Sequence, residues 1–189
     1  MSPEAQAVAN AIASGRYDAV TLSAARLLRV TRHEDGEPYW SVGKRNRFDC
    51  PGTGTQYGVN YCAPALSTAF AESVLHEDRH FDRSQSRWVI SDGDVLSARW
   101  IVELQRSQRP DLVLFPLFGD ALTRLNIGNS ISSGDDYAVT QEVSQVIHDN
   151  APELDGIAYV SNRANQSIAM AVFQRSGARY GNLPVRTSR

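Results

Sequence analysis

Six glycines and prolines, Gly36, Pro38, Gly43, Pro51, Gly52 and Gly54, fall between residues 33 and 56. Glycine and proline interrupt both helix and strand ladders, so neither element runs through that stretch. Any fold of this chain must therefore carry a long irregular loop between its first and second strand patterns. Loops of that length inside a compact domain are usually functional or mobile.

The segments around the loop are easier to read. Ser2-Pro3-Glu4 places an N-cap serine before a proline at the first helical position, and Gly15 closes the Ala-rich helix that follows. Residues 24–31 form a strand pattern with Leu27, Leu28 and Val30 apolar, and residues 58–63 form a second, short one. Pro64 leads into a helix over about 67–77, with Ala69, Phe70, Ala71 and Val74 inward. Residues 88–90 and 96–104 read as strands; in the second, Trp100, Val102 and Leu104 alternate with Arg99, Ile101 and Glu103. A buried strand over 112–115 is stopped by Pro116, and a ragged stretch follows to residue 135. Asp136 caps a helix to about His148, with Tyr137, Val143, Val146 and Ile147 apolar and Asn150 as its stop. Residues 155–160 and 168–173 are strands joined by a polar loop. Mixed strands with few helices and no regular alternation predict an α+β single domain. Residues 1–23 are expected as an N-terminal helical segment, 24–176 as the main domain and 177–189 as an extended tail.

Composition removes several classes. Twenty-one acidic residues against 19 basic ones give a net charge of −2, without the basic excess of a general nucleic-acid binder. No apolar run is long enough for a membrane span, and the N-terminus lacks the basic and apolar regions of a signal peptide. Cys50 and Cys62 are too few for a disulfide scaffold and are expected as free thiols in a cytoplasmic protein. The basic residues are unusual: all are arginine except Lys44.

Some motifs fit a pattern without its setting. His76-Glu77-Asp78-Arg79-His80 matches the H-E-x-x-H of zinc hydrolases, but its intervening and following residues are polar and no third histidine follows at the right spacing. A charged helix end is the simpler reading, and no metal is expected. Ser41-Val42-Gly43-Lys44 matches S-x-x-K but lies in the Gly/Pro loop, without a partner K-T-G. Arg45 after Gly43-Lys44 excludes a P-loop.

Four stretches carry polar residues where a core pattern predicts none. They are Leu27-Leu28-Arg29-Val30; Arg47-Phe48-Asp49; Tyr61-Cys62-Ala63 with Ser67-Thr68-Ala69-Phe70-Ala71-Glu72; and residues 155–163, whose strand delivers Ser161 and Arg163 and is followed by residues 169–173. In this order they resemble the RES domain family, named for its Arg, Glu and Ser, which map to Arg29, Glu72 and Ser161. The resemblance runs from about Leu27 to Phe173. The chain departs from it at Lys44-Arg45-Asn46, where the family has small glycines, and at Cys62, where it has leucine; residues 82–150 match poorly.

The resemblance implies a mixed, split β-sheet core like that of the ADP-ribosyltransferase and diphtheria-toxin fold. It implies a bacterial toxin of a toxin–antitoxin pair, neutralised by an Xre-type helix-turn-helix antitoxin. Its substrate is NAD⁺, whose nicotinamide–ribose bond is cleaved by phosphorolysis or hydrolysis, or whose ADP-ribose is transferred to a protein; a non-catalytic RES-fold interaction module is the other outcome. Inorganic phosphate is a further ligand on the first route, and neither nucleic acid nor membrane is a direct partner.

The residue types suit that chemistry. Glycosidic cleavage passes through an oxocarbenium-like state, which a carboxylate such as Glu72 stabilises while it orients the ribose or the attacking oxygen. Arg29 and Arg47 suit the pyrophosphate, since a guanidinium gives paired oxygen contacts that lysine cannot copy. Tyr61 is expected to stack on nicotinamide or bond the ribose, and Ser161 and Arg163 to bond phosphate or ribose. His33, Tyr57 and Asn165 are candidate rim residues.

Overall fold

The computed structural model describes residues 1–23, 27–33, 38–52, 56–77, 79–90, 98–104, 111–132, 136–164, 167–175 and 185–188. Along the chain they form α1 (Pro3–Ala13), β1 (Val20–Ser23), β2 (Leu27–Thr31), β3 (Val59–Cys62), α2 (Leu66–Glu77), β4 (Arg79–Asp82), β5 (Arg87–Ile90), β6 (Trp100–Leu104), β7 (Asp111–Leu117), α3 (Asp120–Leu125), a 3-10 turn (Asn129–Ser132), α4 (Ala138–Asn150), β8 (Gly156–Val160), β9 (Ile168–Phe173) and β10 (Val185–Ser188). The fold is α+β.

A five-stranded sheet has the order β1-β7-β8-β9-β3 and a three-stranded sheet the order β10-β6-β2; β4 and β5 pair as a hairpin. The larger sheet is mixed: β7 and β8 run parallel, and its other pairs are antiparallel. A parallel pair needs a crossover, which α3, the 3-10 turn and α4 provide. A main-chain bridge joins the two sheets, where Leu28 and Ala63 exchange both hydrogen bonds at 2.8 Å.

Side chains along β8 and β9 alternate between two cores. Ile157, Tyr159, Ala169, Ala171 and Phe173 pack into the core beneath α1 and α4, whereas Ala158, Met170 and Val172 pack with Leu27, Val102 and Leu104 from the smaller sheet. The central strands are thus covered on both faces, which explains their unbroken apolar runs.

The expected helix between Ser2 and Gly15 forms as Pro3–Ala13, and those at about 67–77 and 136–148 form within two residues of their predicted ends. Ser2 caps α1 by accepting from the Ala5 N–H at 3.3 Å, with Pro3 first in the helix and Gly15 beyond it at φ +63°. Asp136 does not cap α4 as its N-cap residue; its Oδ1 accepts the Ala138 N–H at 3.0 Å from one position further out.

Other expectations are corrected. Pro116 does not stop its strand, because β1 pairs with β7 only as far as Leu114; beyond that point Pro116 faces only β8, and its missing N–H leaves no ladder bond broken. The ragged stretch before residue 135 contains α3 and the 3-10 turn. In the flanking segments, β1 pairs with β7 and β10 pairs with β6. The H-E-x-x-H histidines do not share a helix, since His76 lies in α2 and His80 in β4. Their one-turn spacing, the premise of a zinc site, is absent.

Candidate active site

The junction of the two sheets opens a cleft of about 510 Å³. Arg29 leaves β2 one residue beyond the Leu28–Ala63 bridge, between buried Leu28 and Val30. Its Nη1 donates to the Tyr61 carbonyl on β3 at 3.1 Å. Arg29 and Tyr61, far apart in sequence, thereby meet across the seam.

The 41–50 loop is held from both sides. Ser41 and Val59 bridge it to β3. Asp49 is fully buried and gathers its donors: Ser41 Oγ at 2.7 Å, the Arg45 and Asn46 N–H groups at 3.1 and 3.0 Å, Asn46 Nδ2 at 3.1 Å and the Tyr61 phenol at 3.0 Å. The loop's carbonyls face the other way, onto α4. Gln141 Nε2 donates to the Lys44 and Asn46 oxygens at 3.1 and 3.0 Å, Thr140 Oγ1 to that of Arg47 at 2.6 Å, and Ser144 Oγ to that of Phe48 at 2.7 Å. Polar residues on the buried face of α4 thus satisfy a loop that has no ladder of its own. Arg47 is delivered to the cleft, with its guanidinium 4.8 Å from the Tyr137 ring centroid and Nη1 3.3 Å from the Ile131 carbonyl.

Glu72 projects from α2, whose Ala69, Ala71 and Val74 are buried. The Tyr159 phenol donates to its Oε2 at 2.7 Å and the Ser161 hydroxyl to its Oε1 at 2.6 Å. Both donors come from β8 and its end. They are neutral, so they fix the carboxylate without cancelling its charge. Burial, and then the facing carboxylate, raise the Tyr159 phenol well above its ordinary range, which keeps the proton on the donor.

Ser161 is fully buried and does not line the cleft. Its hydroxyl donates to Glu72 and accepts the Arg163 and Ala164 N–H groups at 3.3 and 3.0 Å. It forms the turn and positions Glu72, with no donor left for a substrate. Tyr61 is similar: its phenol donates to Asp49 and accepts the Phe48 N–H at 2.9 Å, so its ring, not its hydroxyl, is offered to the cleft. Burial and the Asp49 carboxylate raise that phenol well above its usual range. Arg163 lines the cleft with a buried Nε that has no hydrogen-bond partner among the described residues.

Of the rim candidates, His33 lines the cleft. Tyr57 does not; it is buried, with its hydroxyl 2.8 Å from Ser144 Oγ and its ring 4.0 Å from that of His148. Asn165 lies outside the described residues.

Sequence reasoning gave no role to Tyr159, Asp49, Arg32, Arg45, Arg99, Tyr39 or Tyr137, of which all but Asp49 line the cleft. Tyr159 sits in an apolar strand and reads as core. Among the described lining residues are six arginines, at 29, 32, 45, 47, 99 and 163, and one carboxylate, Glu72. In a chain of net charge −2 this concentration suits a polyanionic ligand with one cationic or cation-forming centre.

A family model described as the RES domain matches residues 25–187. No curated protein matches the chain. Among solved structures, the chain is similar to the crystal structure of the M. tuberculosis MbcT–MbcA toxin–antitoxin complex, at 16% identity and a TM-score of 0.64, over 98% of this chain and 90% of that one. At that identity the likeness is one of fold.

Proposed function

The chain belongs to the RES domain family, and from that premise we propose that it is the toxin of a toxin–antitoxin pair and acts by breaking the nicotinamide–ribose bond of NAD⁺. The observation that carries this reading is the Glu72 carboxylate, held by two neutral hydroxyls and facing a cleft lined by six arginines. The arginines suit the pyrophosphate, with Arg29, Arg47 and Arg163 as its leading partners.

In the reaction the C1′–N bond breaks and its electron pair passes to the nicotinamide ring, which leaves neutral. Positive charge develops on C1′ and the ribose ring oxygen, where an ionised Glu72 lowers its energy. An acceptor oxygen then bonds to C1′. Phosphate needs no base, because its oxygen arrives already deprotonated; water must lose a proton, which Glu72 can take. An arginine-lined cleft suits a second anion beside the pyrophosphate, and we infer that inorganic phosphate is the acceptor.

The remaining expectations follow this reading: a fold related to the ADP-ribosyltransferases, a cytoplasmic location where NAD⁺ is abundant, and an Xre-type antitoxin that restrains the enzyme. The partner is supported by the toxin–antitoxin complex of similar fold.

Incubation with NAD⁺, with and without phosphate, tests the proposal. Nicotinamide release with ADP-ribose 1″-phosphate formed only when phosphate is present is the expected result. Free ADP-ribose in both conditions assigns water as acceptor, and label retained on a protein assigns transfer. No nicotinamide under either condition rejects the reading.

A further inference from the structure

Tyr39 is 46% exposed although it lines the same cleft as Tyr159, which is 3% exposed. The cleft therefore has a mouth, where Tyr39 stands, and a floor, where Tyr159 holds Glu72. At the mouth the Tyr39 ring is stacked with His33, with centroids 5.8 Å apart and planes 30° apart. The Arg29 guanidinium lies 5.8 Å from the same tyrosine centroid. The backbone there is fixed: Asn60, fully buried in β3, donates through Nδ2 to the Tyr39 carbonyl at 2.9 Å.

Contacts along and behind the cleft wall link the mouth to the floor. Arg29 reaches from the Tyr39 ring to the Tyr61 carbonyl, and Tyr61 spans from that carbonyl to the Phe48 N–H beside Arg47. Phe48 in turn packs on Tyr159, with centroids 4.9 Å apart. From the mouth, the order is an aromatic pair, an arginine, the Tyr61 ring, and then the Glu72–Tyr159 pair with Arg47. A dinucleotide read inward from its far base has the matching order: aromatic base, phosphates, and the ribose whose bond is broken.

We propose that the His33–Tyr39 pair is a stacking platform for the base of the dinucleotide that lies farther from Glu72. The inference rests on the dinucleotide reading of the cleft. Ring faces with an adjacent guanidinium bind any nucleobase through π-stacking and cation–π attraction, with little preference among bases. The platform therefore selects dinucleotides over mononucleotides rather than one base over another. It contributes binding remote from the reacting bond.

The test uses the full chain and its Tyr39→Ala and Tyr39→Phe variants. Nicotinamide release from NAD⁺ gives KM and kcat, and calorimetry gives the affinity for 5′-AMP, which carries only the far half. Tyr39→Ala is expected to raise KM about tenfold, keep kcat within about twofold and weaken AMP by a similar factor of about ten. Tyr39→Phe, which keeps the ring, is expected to restore both values. AMP that binds the unaltered and Ala proteins equally, or binds neither, overturns the platform, as does a fall in kcat at constant KM. If the unaltered protein releases no nicotinamide, the cleavage reading fails separately, and AMP binding still decides the platform.

Discussion

Tyr159 donates a 2.7 Å hydrogen bond to Glu72 from the strand opposite the glutamate's own helix. A lysine or arginine in its place would hold the carboxylate as firmly but cancel its charge. A phenol kept protonated by burial holds it and leaves the charge intact. Glu72→Gln removes the charge and turns an amide N–H₂ toward one of two hydroxyls that now donate. Nicotinamide release is expected to fall by about 100-fold or more. Tyr159→Phe should cost about tenfold through loss of one hydrogen bond to a charged acceptor. Rates for both variants within twofold of the parent would remove Glu72 from the chemistry.

Arg29→Lys keeps the positive charge and loses the fork that reaches both the Tyr61 carbonyl and the cleft. KM for NAD⁺ is expected to rise about tenfold, with a smaller change in kcat. Arg124→Lys is the matching control, because Arg124 is exposed, lies outside the cleft lining and pairs with exposed Asp18 at 3.0 Å. Equal kinetics for the two lysine variants would show that the guanidinium shape does not matter at Arg29.

Asp49→Ala leaves the Ser41, Asn46 and Tyr61 donors without their common buried acceptor. Urea denaturation should show a loss of about 3 kcal/mol, and KM should rise because Arg47 is carried by the released loop. Asp49→Asn is not a conservative repair, since half of the amide is itself a donor. A variant as stable as the parent would mean that the loop is held by α4 alone.

Stability should fall toward both ends of the pH range. Burial raises the phenols of Tyr57, Tyr61 and Tyr159, each above its unfolded value near 10. Their contribution is complete below pH 10 and is lost as pH rises above it, at roughly 1 kcal/mol per pH unit for each phenol kept neutral. His148 moves the other way: burial lowers its pKa from 6.5, against the Asp149 hydrogen bond, and the Arg175 charge lowers it further. Its contribution is complete above pH 6.5 and is lost as pH falls. Melting temperatures between pH 5 and 11 should trace a plateau from about 7 to 9.5. His148→Phe, which keeps a ring against Tyr57, should flatten the shoulder just below pH 6.5; a shoulder that persists unchanged would assign it to other groups.

Gly156 begins β8 between β7 and β9, and a Cβ there would lie 2.2 Å from the Ala171 carbonyl oxygen and 2.8 Å from Val172 Cα. Both are main-chain atoms of a paired strand and cannot step aside. Gly156→Ala is expected to cost about 3 kcal/mol in chemical denaturation. A loss under about 0.5 kcal/mol would mean that β8 and β9 pair more loosely than their register implies.

Arg29 and Glu72, which both line the cleft, each stand as a charge inside an apolar pattern, and the resemblance to the RES family singles them out from it. Tyr159 was not legible, because its ring belongs to the core and only its hydroxyl belongs to the site. Ser161 could be placed at a strand end, but its target is Glu72 in a helix 89 residues away, which no local pattern encodes. Asp49 gains its meaning only when the 41–50 loop folds around it. Strand pairing was hidden for the same reason: β1 and β7, or β6 and β10, lie far apart along the chain. Pro116 misled because the rule against proline in a strand depends on whether a neighbour needs that N–H, and β1 ends before it does.

The arginine-lined cleft also bears on how quickly a ligand arrives. Its six arginines and one glutamate carry +5 among the described residues, so the rest of a chain of net charge −2 carries −7. A multiply charged anion is repelled over most of the molecule and drawn toward the cleft. Its association rate should therefore fall steeply with ionic strength even where the bound complex, shielded at the floor, is little affected.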